Sequence, residues 1–258
     1  RSACDAVALG RVKAALVIAC DTRPHIDPTH FEAFVRGVTF QSLSLYGPTM
    51  GLLGLGAPIP IYAMSAQRYK HEYGATDEDL AQVAVTLREH AAQHPIAQFS
   101  EPLSIESVLN SKMVSPPIRV TQCAGISTGA AAIVVTRAEN APDTGKAQVR
   151  LAGYGEHHHP SHFIPQHGSL TRFESVECAA KDAFEAAGRT PADVDVAEVY
   201  GVFAATELIL YEDLGFCEKG CGAAFLKEGR TTVGGDVLIN ASGGRISMGH
   251  PAGATPLY

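Results

Sequence analysis

Residues Asn240–Thr255 read NASGGRISMGHPAGAT and set one histidine, His250, among glycines, a proline and small side chains. Glycine permits close backbone approach and positive φ. Pro251 fixes the turn that follows. A neutral imidazole in so tight a setting can take a proton from a thiol or polarise a thioester carbonyl. The alternative for any lone histidine is a surface or hydrogen-bonded structural role.

The rest of the composition frames that chemistry. The 258 residues predict one large domain or two smaller ones. Hydrophobic residues make up 46% and charged residues 18%, which suits a packed core and excludes global disorder. A net charge of −7 argues against a general nucleic-acid-binding surface. Cys4, Cys20, Cys123, Cys178, Cys217 and Cys221 are dispersed and form no disulfide framework. No apolar run reaches about 18 residues, so no membrane span is expected. The N-terminal residues lack a signal-peptide pattern. These features predict a cytoplasmic, reducing setting. The sequence has no initiator methionine and opens as if within a helix, so it is expected to be a piece of something longer.

The pattern along the chain alternates strands and helices. A short helix ends at Gly10, and a buried strand is expected at Lys13–Ala19. From Thr22 to about Pro116 the texture changes, and LYGPTMGLLGLGAPIP (Leu45–Pro60) suits a loop. PIYAMSAQRYKHEYG predicts a helix closed by Gly74. TDEDLAQVAVTLREHAAQHP predicts an amphipathic helix with Thr76 as N-cap, acids in its first turn and Pro95 beyond its end. IRVTQ and AAAIVVTRAE read as strands around the turn CAGISTG, and AQVRLAGYGEH as another strand. TRFESVECAAKDAFEAAG predicts a helix with a Thr171–Glu174 capping box and a stop at Gly188. Thr190-Pro191 opens a short helical turn, DVAEVY is a strand, FAATELILYEDLG a helix, and VLINASGG a strand end. This order indicates an α/β sheet with parallel strands.

Three segments, taken with Tyr69–Phe99, carry a resemblance: Asn240–Thr255, DVAEVYGVFAATELILYEDLGFC (Asp195–Cys217) and QCAGISTGAAAIVVT (Gln122–Thr136). Together they resemble the thiolase superfamily. The nearest branch is that of the sterol-carrier-protein/lipid-transfer thiolases and of thiolase-like proteins that pair with small zinc-ribbon/OB-fold partners. The resemblance implies an α/β, five-layer αβαβα fold of two similar halves, incomplete here at both ends. Residues 1–146 would end the N-terminal half, with an inserted loop domain at about 22–116, and residues 147–258 would form a truncated C-terminal half. It places the nucleophilic cysteine before Arg1, and a further helix, strands and cysteine loop after Tyr258. It implies acyl transfer by thiolytic cleavage of a β-ketoacyl-CoA, with coenzyme A as substrate and no permanently bound cofactor. It also implies a homodimer and a small OB-fold/zinc-ribbon partner. Two alternatives stay open: a retro-aldolase cleaving a β-hydroxyacyl-CoA, and a non-catalytic acyl-CoA- or lipid-binding subunit.

The same resemblance assigns residues. His250 would be catalytic. Tyr200, in Tyr200-Gly201-Val202-Phe203, stands where this branch carries H-D-C-F and biosynthetic thiolases N-E-A-F. A tyrosine hydroxyl can donate to a developing oxyanion or act as general acid. Tyr at this place resembles the steroid side-chain retro-aldolases, whereas the retained His250 does not. The alternative for Tyr200 is a core aromatic at a strand end. Gly125, Ser127 and Gly129 would lie near the pantetheine of coenzyme A, as would Gly249, or form only a tight structural turn. Leu45–Pro60 reads either as a flap over an acyl tunnel or as a buried linker. GEHHHPSH (Gly155–His162) lacks ligands at zinc spacing, so no metal is assigned. Cys217 and Cys221, as C-x₃-C, read as structural. The other four cysteines read as buried small hydrophobes.

Overall fold

The computed structural model describes residues 1–21, 58–143, 145, 147–158, 168–251 and 253–257. Leu45–Ala57 of the glycine-rich stretch and His159–His162 of the histidine tract lie outside the described residues. The chain runs α1 (Ser2–Ala8), β1 (Ala14–Asp21), α2 (Pro58–Tyr73), α3 (Asp77–Ala91), α4 (Ile105–Leu109), β2 (Met113–Ser115), β3 (Ile118–Arg119) and β4 (Gly129–Thr136). There follow α5 (Glu174–Ala187), β5 (Val196–Ala197), α6 (Ala204–Asp213), α7 (Gly222–Lys227), β6 (Leu238–Ile239) and α8 (Gly244–Met248). The chain divides into two compact units. One holds residues 1–24, 126–152 and 250–258, and the other residues 25–125 and 153–249.

The first unit is built on an antiparallel ladder, β1 with β4, running from Ala14 opposite Thr136 to Asp21 opposite Gly129. Arg137 donates from Nε to Val7 O at 3.2 Å and from Nη2 to Ala8 O at 3.1 Å, closing the C-terminal carbonyls of α1. The buried strand expected at Lys13–Ala19 is corrected here. It begins at Ala14, and its exposure alternates along its length. Leu16 is 62% exposed and the opposite Val134 68%. Among the described residues no layer covers that face of the two-stranded sheet. The parallel arrangement expected of the strands also fails for this antiparallel pair.

The second unit is organised by α3 and α6. Gly74 stops α2, and Thr76 caps α3 in a reciprocal box with Asp79: Thr76 N donates to Asp79 Oδ2 at 2.8 Å, and Asp79 N to Thr76 Oγ1 at 3.1 Å. Every residue of α6 is buried, and Leu208 and Ile209 pack with Tyr69, Leu80, Leu87, Phe225, Ile239 and Ile246. A helix apolar on all sides is a core helix. Its acids therefore need partners. Glu212 accepts from Tyr69 Oη and, at 2.9 Å, from Gly222 N. Lys219 Nζ lies 3.2 Å from Glu212 Oε2 and 2.6 Å from Asp213 Oδ1, and Phe173 N donates to Asp213 Oδ2 at 2.6 Å.

Several local readings change in this unit. The Thr171–Glu174 capping box does not form: α5 starts at Glu174, so Phe173 is the N-cap, without a side-chain bond, and Thr171 Oγ1 donates to Glu72 Oε2 at 2.8 Å. Gly188 does end α5, at φ 61°. Residues 147–157 have no strand pairing. Gly153 and Gly155 lie against α5 so closely that a Cβ would come 2.3 Å from Ala183 O and 1.9 Å from Ala179 O. Of IRVTQ only Ile118–Arg119 pairs, with Met113–Ser115, before Val120–Gln122 tightens into a 3₁₀ turn. The expected parallel pairing is found in β5 with β6, where Val196 meets Leu238 and Ala197 meets Ile239.

Candidate functional site

The segment that carries His250 follows β6. Asn240, fully buried, takes φ 55°, a left-handed conformation that asparagine tolerates. Its N–H donates to Ala197 O at 2.7 Å and its carbonyl accepts from Gly243 N at 2.8 Å. Gly243, at φ 95°, lies where a Cβ would come 2.5 Å from Ala91 Cβ and 2.9 Å from Leu87 O. Only glycine lets α8 approach α3 this closely. Arg88 Nε donates to Ser247 Oγ at 3.1 Å, and Phe99 N donates to Ser247 O at 2.9 Å. The buried helix α8 then releases the chain through Gly249 at φ 105°.

In the first unit, His250 is half-buried and held on both its backbone and its side chain. Its N–H donates to Ser127 Oγ at 3.0 Å, and its carbonyl accepts from Ser127 N at 3.2 Å. Its Nδ1 lies 3.0 Å from Thr255 Oγ1, and Thr255 Oγ1 donates to Pro251 O at 3.1 Å. Thr255 Oγ1 thus stands within hydrogen-bond distance of both the ring and the Pro251 carbonyl, and either ring tautomer satisfies it. A neutral histidine can accept a proton at its unprotonated ring nitrogen. Thr255 and Ser127 act on His250, Thr255 by orienting the ring and Ser127 by fixing the backbone.

In the second unit, Tyr200 is 49% exposed, which overturns the reading of it as a core aromatic. Partial burial raises its phenol pKa, and the positive charge of Arg245 opposes that rise. Beneath the Tyr200–Gly201 backbone lies Glu207, fully buried in α6. Asn240 Nδ2 donates to Glu207 Oε1 at 3.0 Å and Oε2 at 2.9 Å, and Asn240 Oδ1 accepts from Val199 N at 2.7 Å. Burial drives the Glu207 carboxyl well above the ordinary carboxylate range, against Tyr211, Arg245 and Asn240, which favour its anion. Glu207 was not among the expected site residues. Its signal was an acid inside the otherwise apolar run AATELILY.

The remaining candidates are placed as follows. Ala124 N donates to Val202 O at 2.9 Å, while a Cβ on Gly125 would meet the Phe99 ring at 2.6 Å, so that close approach is made by this chain's own side chain. Ser127 serves His250, and Gly129 begins β4 opposite Asp21. Burial pushes the thiols of Cys123 and Cys217 up to about 12, which suits neither for nucleophilic attack. All six cysteines are free thiols, and of the four expected to be buried Cys20 is exposed and Cys4, Cys123 and Cys178 are only half-buried. His157 Nε2 lies 2.9 Å from Asp182 Oδ2 in an exposed pair. Among the described residues no three His, Cys, Asp or Glu side chains gather as a metal site, and no helix is long and apolar enough to cross a membrane.

Residues 155–258 match a family model described as "Thiolase C-terminal domain-like". The benzoylsuccinyl-CoA thiolase subunit BbsB of Thauera aromatica is 38% identical over 251 residues, covering 96% of this chain and 62% of that protein. An acetyl-CoA acetyltransferase of Methanothermobacter thermautotrophicus is 40% identical over 222 residues, covering 85% of this chain and 52% of that protein. A solved structure titled "Ltp2-ChsH2(DUF35) aldolase" has a TM-score of 0.81 at 28% identity, covering 98% of this chain and 67% of that one. The chain thus spans 62% and 52% of the length of these two curated relatives.

Proposed function

This chain belongs to the thiolase superfamily, and from that premise we propose that the whole protein transfers an acyl group to coenzyme A by thiolytic cleavage of a β-ketoacyl-CoA. The observation that carries this reading is the anchoring of His250, with Nδ1 3.0 Å from Thr255 Oγ1 and the backbone bonded to Ser127. In the proposed reaction Nε2 takes the proton of a cysteine thiol of the whole protein. The thiolate sulfur attacks the keto carbon, the Cα–Cβ bond breaks, and its electron pair leaves on the departing acyl-CoA as an enolate that is then protonated. The sulfur of coenzyme A next attacks the enzyme thioester and carries the acyl group away. The Tyr200 hydroxyl donates to the developing oxyanion. Coenzyme A is a substrate in this scheme, and no resident cofactor or metal takes part.

A second reading is favoured by Tyr200 itself, whose half-exposed phenol is the residue type a retro-aldol proton transfer needs. Tyr200 would then transfer a proton during cleavage of a β-hydroxyacyl-CoA with no covalent intermediate. One experiment separates the two: incubate the whole protein with a β-ketoacyl-CoA, omit coenzyme A, and weigh the intact protein. Thiolase chemistry gives an acyl adduct that disappears when coenzyme A is added. A β-hydroxyacyl-CoA cleaved with no adduct from either substrate gives the aldolase reading. Binding of both without turnover gives a non-catalytic acyl-CoA-binding subunit. We also propose a homodimer and a companion subunit of the OB-fold/zinc-ribbon kind. One relative is named as a subunit and the similar structure carries a two-part name, which supports the companion. Light scattering of the protein purified with and without its neighbours tests both.

A further inference from the structure

We propose that Glu207 is the positioning residue of Tyr200, holding it through Asn240 on one side and through the space at Gly201 on the other. The inference rests on the reading of Tyr200 as a hydroxyl donor. Tyr200 lies between two anchored neighbours. On the Val199 side, the backbone N–H donates to Asn240 Oδ1 at 2.7 Å. On the Gly201 side, the Glu207 carboxyl occupies the place a side chain would take: a Cβ there would meet Oε1 at 2.2 Å and Cδ at 2.3 Å. The same carboxyl accepts from Asn240 Nδ2 on both oxygens, at 3.0 and 2.9 Å. Those two acceptors and the Val199 donor together fix which way the Asn240 amide faces. With Nδ2 committed to Glu207, Oδ1 is the atom presented to Val199 N.

Packing alone would not choose an acid here. Glu207 is fully buried in a helix whose other inward residues include Leu208 and Ile209, and an unpaired buried carboxyl is costly. An apolar side chain at this place would leave Asn240 Nδ2 without its carboxyl acceptor and a void beneath Gly201. Tyr211, Arg245 and Glu198 are the ionisable groups facing the carboxyl, so it sits in a polar pocket with defined partners. What this arrangement fixes is the backbone from Val199 to Gly201, and with it the direction in which an exposed phenol leaves the fold.

The test reads the position of Tyr200 without turnover. The whole protein is labelled with 3-fluorotyrosine, and the fluorine line that vanishes in Tyr200→Phe identifies Tyr200 among the eight tyrosines of this chain. Asn240→Asp puts an acceptor against the carboxyl and is expected to shift or broaden that line while other lines stay. The swapped pair, Glu207→Gln with Asn240→Asp, exchanges donor and acceptor between near-isosteric side chains and is expected to return the line to its native position. In turnover, Asn240→Asp lowers kcat severalfold with KM kept, and the swap recovers it. An unmoved Tyr200 line in folded Asn240→Asp overturns the inference, as does a swap that folds without restoring the line. Lines of all tyrosines moving together would show general loosening and overturn it too. If Asn240→Asp does not fold, the swapped pair is read alone: a native line supports the inference and a displaced one overturns it. A restored line in a protein with no acyl-CoA turnover would keep this inference and remove the functional reading.

Discussion

His250 Nδ1 lies 3.0 Å from Thr255 Oγ1, and the hydroxyl also lies 3.1 Å from the Pro251 carbonyl. Those two contacts hold the orientation of the imidazole before any substrate arrives. Thr255→Val removes the ring's hydrogen-bond partner but keeps the shape of this buried side chain. The expected result is a fall in kcat of about tenfold or more, part of the roughly 10²–10⁴-fold that a general base supplies. Thr255→Ser, which keeps the hydroxyl, recovers most of it. Steady-state kinetics of the three proteins checks this.

Tyr200→Phe removes a hydroxyl from a half-exposed ring, so folding is expected to be unaffected. In the acyl-transfer reading kcat drops by about 10²-fold, the scale of one oxyanion donor, and KM changes little. In the retro-aldol reading cleavage is abolished. Parallel assays with β-ketoacyl-CoA and β-hydroxyacyl-CoA distinguish the two.

The Glu207 carboxyl predicts a pH dependence of stability. Burial raises its folded-state pKa well above 4.5. Below about 4.5 the folded and unfolded chains both hold the proton. Between that value and the raised one, the folded chain binds a proton that the unfolded chain has lost, so stability falls as pH rises through the window and then levels off. Asp213, also raised by burial, adds a slope of the same sign. Glu207→Gln should flatten the curve, leaving the Asp213 part. Urea midpoints measured from acidic to mildly alkaline pH decide it, and an unchanged slope would count against a buried carboxyl that gains protons on folding.

Gly243→Ala tests the seating of the motif helix. The added methyl would meet Ala91 Cβ at 2.5 Å and Leu87 O at 2.9 Å at a φ of 95°. Overpacking together with left-handed strain is expected to cost about 1–3 kcal/mol. A lower urea midpoint with unchanged slope is the expected outcome.

The longer helices were legible because their signals are local, whereas the short helices α4, α7 and α8 were not read from sequence. Thr76 followed by Asp79, the stops at Gly74 and Gly188, and the apolar run of α6 act within a few residues, and each is found as expected. The strands were less so. Leu16 and Ile18 look like core from sequence, yet exposure depends on what covers the sheet, and composition does not report that. Thr171 reads as a cap, but the helix starts at Glu174 and Phe173 takes the cap position, while the Thr171 hydroxyl donates to Glu72, far along the chain. At the site, His250 was marked by its glycine and proline neighbours. Thr255, which holds its ring, carried no sign of its role. Glu207 was visible only as an acid out of place, because its purpose depends on Asn240 and Gly201, distant or side-chain-free positions that meet it in the fold.

The most direct test of acyl transfer by His250 is the rate of coenzyme A-dependent cleavage of a β-ketoacyl-CoA by the whole protein and by its His250→Asn variant. Both are compared at equal folded concentration. A variant rate lower by about 10²-fold or more, with substrate binding kept, is the predicted result. A rate in folded His250→Asn equal to that of the unsubstituted protein would contradict it.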